Sequence, residues 1–172
     1  MRPPRPHRAF SLLEVALAVA IVAGAVVVIL ALLLQLGKQA ARSEETHVAL
    51  RLPDAVATEL RALATQRGFD ALAVGIAVMS AAADEGLLLV AARDGSQVRL
   101  LSAGESPPRE QYFLIEIRRF PAAPLAYSAS GAVLPLSVRV SWPYRSLTPA
   151  GLTDAAPFAE RQSVNFNLPL NR

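Results

Sequence analysis

The chain has 172 residues, 53% of them apolar and 18% charged, with 17 Lys plus Arg, 14 Asp plus Glu and no cysteine. Arg2, Arg5 and Arg8 account for the whole formal charge of +3, because the rest of the chain carries 14 basic against 14 acidic side chains. A basic surface for nucleic acid is therefore not supported, and the lack of cysteine excludes thiol catalysis, Cys-ligated zinc and disulfides.

Residues 1–9 contain three arginines, three prolines and no acid. From Phe10 to Leu36 the chain is apolar except for Ser11 and Glu14 near its start and Gln35 near its end, and from Val15 to Leu34 every residue is apolar or glycine. Twenty such residues make a helix about 30 Å long, the thickness of a bilayer's hydrocarbon core. The run exceeds the roughly 7 to 15 residues of a signal-peptide core. Basic flanks stay cytoplasmic, which predicts an N-terminus inside and the rest exported. A carboxylate inside an apolar span is a functional candidate, although a plain anchor tolerates one that reaches the interface.

The boundary Ala9, Phe10, Ser11, Leu12, Leu13, Glu14 resembles the processing site of type IV prepilins and type II secretion pseudopilins. In that family a short basic leader is cut before a Phe, the new terminus is N-methylated, and a glutamate follows four positions on. Ala9 stands where the family usually has Gly. The resemblance covers about the first 30 residues. It implies cleavage between Ala9 and Phe10, N-methylation of Phe10, and a role for Glu14 in assembly and register. The implied partners are a prepilin peptidase, other pilin or pseudopilin subunits, the inner-membrane assembly machinery and membrane lipid, with no nucleic acid. The implied place is the bacterial inner membrane, single-pass, with a periplasmic head or a cell-surface filament.

Helical character continues through 37–52, with Lys38, Gln39, Arg42, Glu44 and Glu45 as helix formers and Ala49 and Leu52 on a weak apolar stripe. One helix is predicted over 10–52, with Pro53 ending or kinking it. A second helix is predicted over 54–67, where Val56, Leu60, Leu63 and Ala64 share a face and Gly68 caps the end. Residues 69–83 combine helix-favouring alanines with the alternation Val74, Ile76, Val78, and extended structure is expected.

The remainder reads as strands. Asp84, Glu85 and Gly86 make a turn, 87–92 an apolar strand, and Asp94-Gly95 a hairpin turn into 98–101. In 111–120, Phe113, Ile115 and Ile117 face one way and Glu116 and Arg118 the other. In 134–142, Leu134, Leu136, Val138, Val140 and Trp142 share the apolar side, and in the last strand Val164, Phe166, Leu168 and Leu170 do so. Strict alternation predicts one buried and one wet face. Pro135 and Pro169 belong at strand ends or on an edge. The prolines of 105–109, Pro121, Pro124 and Pro143 mark loops, and 144–161 is read as a loop.

The fold class is thus α+β: a long N-terminal transmembrane helix packed on a small antiparallel sheet, as the resemblance also implies. The organisation is a leader over 1–9, a transmembrane helix over 10–36, its exported continuation over 37–52 and a head over 53–172. No Gly-rich phosphate loop, HExxH, GxSxG or His cluster occurs, and His47 is the only histidine beyond the leader. No enzyme, cofactor, metal or catalytic residue is expected. The resemblance points to a filament subunit, and the rival reading is a membrane-anchored receptor or adhesive module with the same exported head.

Overall fold

A computed structural model describes residues 12–79, 86–101, 111–145, 147–148, 151–152 and 155–172. The expected turn at Asp84 and Glu85 and the loop over 105–109 lie outside the described residues. The chain divides into two compact units, one ending at Glu44 and the other formed by Glu45–Arg172.

One helix, α1, spans Leu12–Arg67 with Pro53 inside it. The separate helix expected over 54–67 is a continuation of the first, so of the two outcomes expected at Pro53, an end or a kink, the end does not occur. Proline removes the amide that would bond the carbonyl of Ala49 and costs about 3 kcal/mol in a helix interior. Against this, Ala49, Leu52, Val56, Leu60 and Leu63 are all buried in the core, and each large side chain among them contributes about 1.5 to 3 kcal/mol by leaving water. The packing on both sides of Pro53 outweighs one lost hydrogen bond. Gly68, at φ +86°, then turns the chain out of the helix, and its amide donates to the Ala64 carbonyl at 2.9 Å.

A short helix, α2, follows over Phe69–Gly75, where extended chain was expected. Leu72, Ala73 and Ile76 are buried, a helical spacing that brings all three to one side. Extended structure starts only after it: Val78 bridges Arg119, with Met79 N donating to Arg119 O and Arg119 N to Ala77 O, each at 2.9 Å.

The strands are β1 (Leu87–Ala91), β2 (Arg99–Leu100), β3 (Phe113–Arg119), β4 (Val133–Trp142), β5 (Leu147–Thr148), β6 (Gly151–Leu152) and β7 (Gln162–Asn171). Five form one sheet in the order β2-β1-β3-β4-β7, and β5 pairs with β6 separately. Every pair is antiparallel. The predicted hairpin joins β1 to β2. At its turn the Asp94 carboxylate accepts from both the amide and the hydroxyl of Ser96, and Gly95 sits at φ +80°.

The inner face of the sheet is as predicted. Leu89, Phe113, Ile115, Ile117, Leu134, Leu136, Val138, Val140, Trp142 and Leu170 join Leu52, Val56 and Leu60 of α1 in one core. The outer face differs from the expectation. Leu114, Glu116, Arg118 and Ser141 are buried there too, so β3 is covered on both sides. The segment after β4, which contains β5, β6 and a 3-10 turn at Phe158–Glu160, reaches the outer face at Arg139 of β4. The guanidinium of Arg139 lies 4.6 Å from the Phe158 ring centre, and the Ala156 amide donates to Tyr144 O at 2.9 Å.

Candidate functional site

The first unit is the place to look for function, because its sequence is apolar and its surface is open. All residues from Leu12 to Glu44 are exposed, and the large apolar side chains among them are 48 to 89% accessible. A helix so apolar yet so uncovered is unstable in water and suited to lipid or to other helices. Among the described residues α1 is the one helix long and apolar enough to cross a membrane, and its apolar window is 0% buried. Glu14 lies in its first turn, where the positive end of the helix dipole favours a carboxylate. Ala9 and Phe10 lie outside the described residues. Glu14 is therefore the one predicted site residue with a described position.

Comparison with protein-family models, with curated proteins and with solved structures returns no match. A long apolar N-terminal helix, with later turns packed on an antiparallel sheet, is nevertheless a pilin-like architecture.

In the second unit the fold builds three carboxylate centres, at Glu45, Asp70 and Glu116. Glu45, near the start of the packed part of α1, accepts from the Tyr112 hydroxyl at 2.6 Å and from Arg93 Nη2 at 2.7 Å. Burial first, and then the hydrogen bond and charge of Glu45, push the Tyr112 phenol well above its ordinary pKa. Asp70 on α2 accepts from the Tyr127 hydroxyl at 2.6 Å and from the Arg172 guanidinium, which also lies 5.0 Å from the Phe69 ring centre. The bond to Asp70 raises the Tyr127 phenol as well. Hydrogen bonds from Ser96 lower the Asp94 carboxyl at the hairpin turn.

Glu116, expected on a wet face, is buried. Its side chain has no exposed surface, and it accepts from Arg118 Nη2 at 2.9 Å and from Arg139 Nε at 2.5 Å. Alternation put Glu116 and Arg118 on the outer face correctly, but period alone carries no sign of the chain folded over that face. The signal available was the Glu116–Arg139 cross-strand pair, together with the aromatic residues Tyr144 and Phe158 in the supposed loop.

These centres tie elements together. Glu45, Asp70 and Glu116 each accept hydrogen bonds from Arg or Tyr donors, and Asp94 from Ser96. His47 is exposed, and no group of three His, Cys, Asp or Glu among the described residues is placed to hold a metal.

Proposed function

We propose that this chain is a pilin-like subunit, held in the bacterial inner membrane by residues 10–36 and assembled through that segment into a pilus-like or pseudopilus-like filament. In this reading the N-terminus is cytoplasmic, the head is exported, and a prepilin peptidase removes residues 1–9 and exposes the Phe10 amine for methylation. The observation that carries the reading is the contrast along α1. Its turns beyond Ala49 are locked into the head, while its first 33 described residues bury nothing.

The chemistry of such a filament follows from the segment. Apolar helices leave lipid and bundle, and Ala16, Ala18, Ala20, Ala23 and Gly24 allow close approach. A carboxylate enters an apolar bundle at low cost only with a positive partner, and the amine freed at Phe10 supplies one to Glu14. The pair acts mainly on register, since a misplaced subunit leaves both charges unmatched.

Intact-mass analysis of protein from the native membrane tests processing. The expected mature chain starts at Phe10 with a methylated amine, and a chain starting at Met1 overturns the reading. Assembly is tested by Glu14→Leu expressed beside the wild type. Removing one partner of a buried pair costs about 3 to 5 kcal/mol, so incorporation into sheared or crosslinked filaments falls at least about a hundredfold, with insertion and cleavage unchanged. Equal incorporation, or no higher-order species from either form, favours a membrane-anchored receptor.

A further inference from the structure

Among the described residues the last strand of the sheet, β7, has no neighbour on its outer side, and its bonding phase follows from its register. Residues directly opposite one another in an antiparallel ladder alternate between pairs that exchange two hydrogen bonds and pairs that exchange none. Pro135 on β4 lies opposite Pro169 on β7, and neither has an amide hydrogen, so theirs is a non-bonded pair. This sets the whole ladder. Even-numbered residues of β7 bond to β4, and Ser163, Asn165, Asn167, Pro169 and Asn171 turn their backbone groups away from the sheet. Bonds at the two sides of the sheet agree with the phase: Arg172 N donates to Ala132 O at 2.9 Å, and Leu101 N to Leu88 O at 2.8 Å.

Two further features distinguish this edge. Val164, Phe166 and Leu168 are only partly buried, whereas Val140, Val138 and Leu136 opposite them on β4 are 0% exposed. The apolar inner face of the sheet thus continues onto its last strand with only part of its cover. In addition, Gln162–Asn171 contains no charged residue, although edge strands are commonly blunted by charge. Pro169 is its one interruption, leaving Gln162 to Leu168 as an open stretch. The opposite edge, β2, has only 2 residues.

We infer that the edge of β7 from Gln162 to Leu168 accepts an extended segment of another polypeptide by strand addition. The segment is uncharged and apolar at alternate positions, so that its apolar side chains complete the row of Val164, Phe166 and Leu168 while its backbone meets the open groups of Ser163, Asn165 and Asn167. The inference goes beyond the anchor and holds whether or not residues 1–9 are removed.

The probe is a capped synthetic peptide with the sequence of residues 162–168. Antiparallel about Asn165, it sets Val164 against Phe166 and Ser163 against Asn167. Amide hydrogen exchange is followed on the full-length chain in detergent micelles as peptide is added. The amides of Ser163, Asn165 and Asn167 are expected to slow about tenfold or more, while those of Val164, Phe166 and Leu168, already bonded to β4, do not change. Asn165→Pro deletes one outward amide, as Pro169 already does on the same edge, and is expected to weaken peptide binding about tenfold at an unchanged melting temperature. Should that variant unfold, Asn167→Pro, which deletes a different outward amide, provides the same comparison. No slowing at millimolar peptide, or equal binding by the edge variants, overturns the inference. So does protection of the odd-numbered amides without peptide together with a doubled mass, which would make a second copy the occupant.

Discussion

Tyr112 donates its hydroxyl hydrogen to Glu45 Oε1 at 2.6 Å, tying the residue before β3 to α1 near the point where that helix enters the core. Arg93, from the β1–β2 hairpin, reaches the same oxygen and lies 5.1 Å from the Tyr112 ring centre. One carboxylate thereby joins a helix, a hairpin turn and the start of a strand.

The raised phenol pKa of Tyr112 gives a pH dependence of definite sign. In the unfolded chain the phenol loses its proton near pH 10, while in the folded chain it holds it longer. Its contribution is therefore fully present below about pH 10 and declines as pH rises above that. Tyr112→Phe is expected to cost about 1 kcal/mol at neutral pH and to lose less stability than wild type on going to alkaline pH. Melts of both chains across that range check the sign, and an identical alkaline decline refutes it.

Glu116 is expected to be the costliest polar side chain of the sheet to remove. Glu116→Leu leaves Arg118 and Arg139 without this partner in a largely covered place and costs about 3 kcal/mol. The low end of the usual range applies because the Arg139 side chain is 25% exposed and can turn to water. In the Glu116→Leu background Arg139→Met is expected to cost less than it does alone. Chemical denaturation of the four chains of this double-mutant cycle gives the coupling, and strict additivity would show that the pair stabilises nothing.

Gly95 combines a positive φ with a close neighbour. A β-carbon built there would lie 2.9 Å from Val48 Cγ1 on α1. Gly95→Ala is expected to lower stability by about 1 to 2 kcal/mol, from backbone strain plus the clash. Val48→Ala added to it removes the clash and recovers part of the loss. A full loss in the double variant would assign the effect to backbone conformation alone.

Pro53→Ala is expected to stabilise the chain. The substitution restores an amide opposite the Ala49 carbonyl and removes a cost of about 3 kcal/mol, against roughly 0.4 to 1 kcal/mol of unfolded-chain stiffness given up with the proline. Thermal melts of full-length chains in detergent provide the comparison. A lower melting temperature would mean that the core uses a helix shape only proline supports.

Periodicity alone determined much of this protein. Twenty uninterrupted apolar or glycine residues can only be a span or a buried helix, and alternation over 134–142 and 163–170 places each side chain on one of two faces, whatever the rest of the chain does. Asp94-Gly95 marked its hairpin because few residue pairs accept that backbone. Tertiary structure decided what local signals leave balanced. α1 continues through Pro53 because burial of Leu52, Val56 and Leu60 outweighs one missing bond, and Phe69–Gly75 is helical because Leu72, Ala73 and Ile76 meet the core together. The buried Glu116 is bonded by a residue more than 20 positions away, Arg139, whose guanidinium in turn lies beside the Phe158 ring. A strand's own sequence says which side a residue faces, but only the chain that folds over that side determines whether it stays in water.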